Sequence, residues 1–134
     1  MIPALLLAAL ALPAAADEAH TCPLVLPRTT VEVKPPVGWT GYSPSIVRLT
    51  GYGMMAGPPD SMTYLVPSGS KKLKDGSIST WLFSKGEERW VYCTYDDSGA
   101  IQISRRLADD ATECTLSYNR DKFGSIGEMT VACK

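Results

Sequence analysis

The stretch Arg89-Trp90-Val91-Tyr92-Cys93-Thr94-Tyr95-Asp96-Asp97-Ser98-Gly99-Ala100-Ile101-Gln102-Ile103-Ser104 reads as two strands around a tight loop. Arg89 to Tyr95 is rich in aromatic and β-branched residues, and Asp96-Asp97-Ser98-Gly99 is a four-residue hairpin loop with glycine where a left-handed backbone is wanted. Ala100 to Leu107 returns, with Ile101, Ile103 and Leu107 on one parity. The same period of two places Cys114, Leu116 and Tyr118 together, and Met129, Val131 and Cys133 together. Polar residues between them mark a sheet with one buried face.

Working outward, Ser77 to Phe83 is a strand, Lys85 to Glu88 a turn, Ala108 to Ala111 a turn, Thr112 to Asn119 a strand, Arg120 to Ser125 a loop and Ile126 to Cys133 the last strand. Upstream, Leu24 to Lys34, Ser45 to Met55 and Met62 to Pro67 are strands separated by Pro35-Pro36 and Gly57-Pro58-Pro59. Helical periodicity is nearly absent. The fold class is therefore all-β, a small antiparallel sandwich or open barrel with a C-terminal meander.

The chain has 134 residues, of which Met1 to Ala16 carry no charge and fourteen apolar side chains. Ile2 to Leu12 has the length of a secretory apolar core, and Ala14-Ala15-Ala16 followed by Asp17-Glu18 suits cleavage after Ala16. The expected organisation is a signal peptide, 1–16, and one β domain, 17–134, in the periplasm or secreted. The n-region lacks Lys and Arg. No second apolar run approaches the ~20 residues of a spanning helix. A net charge of −1 argues against nucleic acid as a partner.

Cys22, Cys93, Cys114 and Cys133 make an even set in an oxidising context. Their gaps hold no C-x-x-C motif and no zinc-knuckle spacing, and the sole histidine is His20, so two disulfides are expected and neither a metal nor a cofactor. Of the three connectivities, Cys93–Cys114 within one meander and Cys22–Cys133 across the chain ends are favoured.

Few constellations point to catalysis. With no imidazole beyond His20, Ser-His and Cys-His pairs are lacking from the body of the chain, and a non-enzyme is expected. In a simple up-and-down meander, the turns at Lys85–Glu88 and Ala108–Ala111 share an end and bring Glu87, Glu88, Asp109 and Asp110 together. A carboxylate pair there would suit hydrolysis, although charged turns are usually just solvated and Arg89, Arg105 and Arg106 lie near. Lys71-Lys72-Leu73-Lys74 is the only basic run and reads as an exposed loop. The most unusual stretch is Gly51-Tyr52-Gly53-Met54-Met55-Ala56-Gly57-Pro58-Pro59-Asp60-Ser61-Met62. Its glycines allow a bulge, its prolines stiffen a loop, and its methionines suit either core or an adaptable surface. Tyr52, Met54, Met55, Pro58, Pro59 and Asp60, with Trp39, are the expected contact residues. Trp90 is expected in the core and Trp39 in an exposed loop.

In the order and spacing of several short motifs, the chain resembles a family of small exported bacterial proteins of unknown function. These are Cys22-Pro23, Pro36-Val37-Gly38-Trp39, Leu49-Thr50-Gly51, Gly57-Pro58-Pro59, Leu65-Val66-Pro67, Trp81, Trp90-Val91-Tyr92-Cys93-Thr94-Tyr95, and Leu107 followed by Cys114. The resemblance implies a Gram-negative periplasmic or secreted, mostly β protein, and no activity. The expected function is that of a monomeric, non-catalytic binding module for an envelope protein or cell-wall component, in its concrete form an inhibitor. A structural component of the envelope and a carboxylate-dependent hydrolase are the alternatives.

Overall fold

The computed structural model describes residues 21–43 and 46–134. The expected signal peptide, its cleavage site and His20 lie outside them. Eight strands form two antiparallel four-stranded sheets: β1 (Val25–Pro27), β2 (Ile46–Met55), β5 (Trp90–Tyr95) and β6 (Ile101–Arg106) in one, and β3 (Gly69–Leu73), β4 (Gly76–Leu82), β7 (Glu113–Arg120) and β8 (Ile126–Cys133) in the other. No described helix is long and apolar enough to cross a membrane. Each sheet offers one apolar face to the other. Leu26, Val47, Leu49, Met54, Val91, Cys93 and Tyr95 of the first meet Trp81, Cys114, Leu116, Met129 and Val131 of the second in a single core. This is the all-β sandwich that the alternation predicts.

The C-terminal strands do run up and down, but as two hairpins in different sheets, β5–β6 and β7–β8. The segments between β4 and β5 and between β6 and β7 are crossovers at one end of the sandwich. There Leu82 pairs with Glu113 and Trp90 with Arg106.

This division corrects the favoured disulfide pairing. Cys93 and Cys114 belong to opposite sheets, and the bonds are Cys22–Cys93 and Cys114–Cys133. Cys114 and Cys133 face each other directly in the β7–β8 register. Cys22, just before β1, reaches past β2 to β5 and ties the start of the described chain to the sheet interior. The loop at Asp96 to Gly99 forms as expected, Gly99 having φ of +68°. Asp96 is left-handed too, at +68°. Its carboxylate accepts hydrogen bonds from the hydroxyl and amide of Ser98 and from Ala100 N–H. Foremost through the Ser98 hydroxyl, these hold its acid below the usual range.

Three expectations fail locally, and of the strand expected over Leu24 to Lys34 only Val25–Pro27 forms, with a 3-10 turn at Arg28–Thr30 after it. The basic run is a strand, β3, paired with β4 around Lys74–Asp75, and Met62 to Pro67 contributes only an isolated bridge between Tyr64 and Met55. Gly76 closes the β3–β4 hairpin, and a Cβ there would fall 1.8 Å from the Tyr118 carbonyl oxygen. Only glycine permits that approach.

Both crossovers hang on Arg89, 3% exposed. Its guanidinium donates to the carbonyls of Ala111 and Glu87 and, at 3.3 Å, to that of Ser84. The same group lies over the Phe83 ring. Replacing Arg89 by Met leaves these inward carbonyls unpaired, each costing about 1–3 kcal/mol. Urea unfolding of the variant is expected to show at least about 3 kcal/mol lost. Non-reducing peptide mapping is expected to recover Cys22 joined to Cys93. By loop closure that bond contributes about 4 kcal/mol and Cys114–Cys133 about 3. The double alanine replacement at Cys22 and Cys93 is therefore the more damaging of the two; recovery of a Cys93–Cys114 peptide would refute the topology.

Candidate interaction surface

β2 carries the residues singled out by sequence, and a bulge at Thr50 decides where they point. Leu49 pairs with Tyr95 but Gly51 with Thr94, so one extra residue sits between. Inward positions change from Val47 and Leu49 to Tyr52 and Met54. Gly51 and Gly53 then lie on the outer face, opposite Thr94 and Tyr92. A Cβ on Gly53 would stand 2.5 Å from the Tyr92 hydroxyl, so glycine lets that ring lie across the strand.

Met54 and Met55 are both completely buried, which removes them from the expected contact surface. Met54 faces the core. Met55 faces outward but sits 4.0 Å, through Sδ, from the side-chain amide of Gln102. The hydroxyl of Tyr64 donates to that amide's oxygen at 2.8 Å, and the Tyr64 ring packs edge-on against Tyr92 at 5.0 Å. A second small layer thus covers the outer face of the first sheet, where a methionine was expected to reach solvent.

Beyond Met55 the chain turns back through a stiff loop. Ala56 N–H donates to Thr63 and Leu65 N–H to Met54, closing its base. Pro58 enters a single 3-10 turn, Pro59–Ser61, and Met62 leaves it in a left-handed conformation. Ser61 donates to the Pro58 carbonyl from both its hydroxyl, at 2.6 Å, and its amide, at 2.9 Å. Pro58, Pro59, Asp60 and Met62 are all exposed at this tip, Met62 to 73%. Two fixed proline φ angles and these bonds leave little backbone entropy to lose on contact. Met62, which the contact list omitted, is the methionine of the stretch that reaches solvent. Trp39 occupies a different loop, 75% exposed, after a turn in which its amide donates to Pro36. Trp90 departs from expectation: it is half-buried on the outer face, with Nε1 donating to Glu88 at 2.8 Å. Trp81 is the buried tryptophan, its Nε1 donating to Leu65.

Tyr52 lies at the rim of the core. Its ring meets Tyr118 edge-on at 5.5 Å across the gap between the sheets. With Trp81, Leu65 and Pro67 they line a pocket of about 290 Å³. Burial, with Tyr118 adding to it against an opposing Arg120, pushes the Tyr52 phenol up from 10.0 to about 12.

A family model described as type VI secretion system Tli immunity protein matches residues 43–134. The chain belongs to this family. The matched region takes in β2 to β8 and leaves Cys22 and β1 outside. No curated protein and no solved structure matches the chain.

The carboxylates at the crossovers do come to one end, where Glu87, Glu88 and Asp109 each have a neighbour. Glu87 accepts from Ser84 N–H at 2.8 Å. Arg106 pairs with Asp109 at 3.2 Å and with Glu88 at 3.7 Å. These bonds tie together the crossovers of an immunity-family fold.

Tyr95, wholly buried and donating to Pro23 at 2.7 Å, also ionises near 12, because of burial. Both phenols are raised by folding, so their contribution to stability is complete below pH 10 and is lost as pH rises through 12. Burial also raises the Tyr92 phenol, so absorbance at 295 nm is expected to show three late phenolates, with loss of the folded signal coinciding with those of Tyr52 and Tyr95. Full ionisation of every tyrosine near pH 10 with the fold intact would contradict the packing described.

Proposed function

We propose that the chain is a non-catalytic immunity protein that binds and neutralises a toxic effector of a type VI secretion system in an oxidising envelope compartment. Membership of the Tli immunity family carries this reading. It narrows the expectation of an inhibitor: the partner is an incoming toxin, and the envelope is where the encounter happens. Two disulfides suit that compartment. The contact surface proposed is the Pro58–Met62 tip, with Tyr52 behind it and Trp39 as a separate exposed anchor. A tip already fixed by two prolines and three Ser61 hydrogen bonds presents Asp60 and Met62 in one geometry.

Cross-linking from envelope extract with the oxidised chain as bait identifies the effector, which is then expressed alone and with the chain. Co-expression is expected to restore growth. Asp60→Arg with Met62→Arg is expected to raise Kd at least about tenfold, about 1.4 kcal/mol. Its melting temperature should stay within about 2 °C of the parent, since both side chains are in solvent. Unchanged affinity in the folded variant would move the contact surface elsewhere, and absence of any protection by the parent chain would remove the immunity reading.

A further inference from the structure

The inner face of the second sheet continues past the core. On β4 and β7 the buried Ser79, Trp81, Cys114 and Leu116 give way to Ser77 and Tyr118, then Arg120. On β3 the same face carries Ser70, opposite Ser79, and Lys72, opposite Ser77. Ser70, Lys72, Ser77, Tyr118 and Arg120, with Lys74 and Lys122, line a cleft of about 870 Å³ at the end of the sandwich away from the crossovers. It shares Tyr118 and Arg120 with the smaller pocket between Tyr52 and Trp81.

The cleft is positive in a chain whose net charge is −1. Its described lining carries Lys72, Lys74, Arg120 and Lys122 against Asp75 and Asp121, at the ends of the β3–β4 and β7–β8 hairpins of one sheet. Asp121 is occupied within its own loop, accepting from Phe123 N–H at 2.8 Å and Ser125 N–H at 3.0 Å. Arg120 is braced over the Tyr118 ring and donates to the Gly124 carbonyl at 2.8 Å. None of the three lysines of the β3 hairpin is in an ion pair among the described residues. Lysines along an edge strand also discourage strand addition, so a ligand enters through the face of the cleft.

We infer that this cleft seats an acidic extended segment of the partner protein. Its carboxylates lie against Lys72, Lys74, Arg120 and Lys122, with one apolar side chain in the pocket between Tyr52, Tyr118 and Trp81. The inference rests on the reading of the chain as a binder of a protein effector. An isolated phosphate would use the charged mouth and leave the aromatic pocket empty. A pocket of about 290 Å³ is at the small end of ligand cavities, and accepts one large side chain better than an acyl chain. A charged mouth continuous with a confined aromatic recess is the complement of a peptide carrying both carboxylates and an apolar anchor.

Amide shifts of the oxidised chain, labelled with nitrogen-15, read this directly. The probes are a peptide of five glutamates around one phenylalanine, its glutamine counterpart, inorganic phosphate and phosphatidylglycerol vesicles. The acidic peptide is expected to shift residues 70–77 and 118–124, with Kd rising about tenfold from about 20 to about 150 mM salt. Lys72→Glu with Lys74→Glu, or Lys122→Glu on the facing loop, is expected to abolish those shifts at unchanged melting temperature. Equal shifts with the glutamine peptide, shifts with phosphate or vesicles in place of the peptide, or none with any probe would each overturn the inference. Growth protection that survives the lysine replacements would also overturn it. Peptide binding by a chain that gives no protection would instead strike the immunity reading and leave the cleft standing.

Discussion

The chain passes between its sheets three times at one end, and two of those passages, β4 to β5 and β6 to β7, must do something with their carbonyls. The Ala111 carbonyl is buried beside the core, and those of Glu87 and Ser84 lie towards its edge. In this protein Ser84, Glu87 and Ala111 turn their carbonyls to the one guanidinium of Arg89. A guanidinium presents several donors in a rigid plane, so one side chain can satisfy carbonyls from both passages at once. Its own charge is left without a buried carboxylate and rests on the Phe83 face and those oxygens. The main chain of Arg89 adds to the closure by accepting from Leu107 N–H. The topology that separates β5–β6 from β7–β8, and with it the disulfide pairing, depends on this end staying closed.

The opposite constraint acts on β2. A strand of ten residues that must present apolar side chains first to one neighbour and then to another needs its parity reset, and the bulge at Thr50 does so. From there Tyr52 and Met54 point inward, and two outward glycines make room for Thr94 and Tyr92. Adjacent methionines then fall on opposite faces and both are covered. The strand's rigidity passes directly to the loop it feeds, because the first rungs of that loop are bonds from Met54 and Ala56. Leu65 and Pro67, on the way out, complete the pocket under Tyr118. Tip and cleft are thus linked through one short, well-bonded segment.

How much of this was legible in the sequence follows from what each signal measures. Period-two alternation reports burial on one face, so β5, β7 and β8 were readable to within a residue or two, as was the Asp96–Gly99 loop. Alternation does not report which sheet a strand joins. Cys93 and Cys114 pair only if their strands belong to one local meander, and the sandwich puts those strands in different layers. The basic run hid β3 because its inward side chains, Ser70 and Lys72, face a cleft and not a core, so the burial signal is missing where the strand is present. The Asp75-Gly76 dipeptide was a turn signal for this hairpin and went unread. Pro58, Pro59 and Asp60 are recognisable as an exposed turn from turn chemistry alone. Met54 and Met55 were misread because methionine suits both core and surface, and only the cover supplied by Tyr64, distant from the strand's own pattern, decides between them.

The family match begins at residue 43, yet the fold does not. β1 pairs with β2 over Val25 to Pro27, and Cys22 is fixed to Cys93 in the middle of the first sheet. The segment before the matched region therefore acts as a clasp that also adds Cys22 and Leu26 to the core. Such a clasp constrains the unfolded chain more than it adds contacts, since the bond spans 71 positions. The consequence for binding is economy of motion. A partner meeting this protein finds the Pro58–Met62 tip and the lysine-lined cleft held by strands, prolines and a disulfide, so little ordering remains to oppose association.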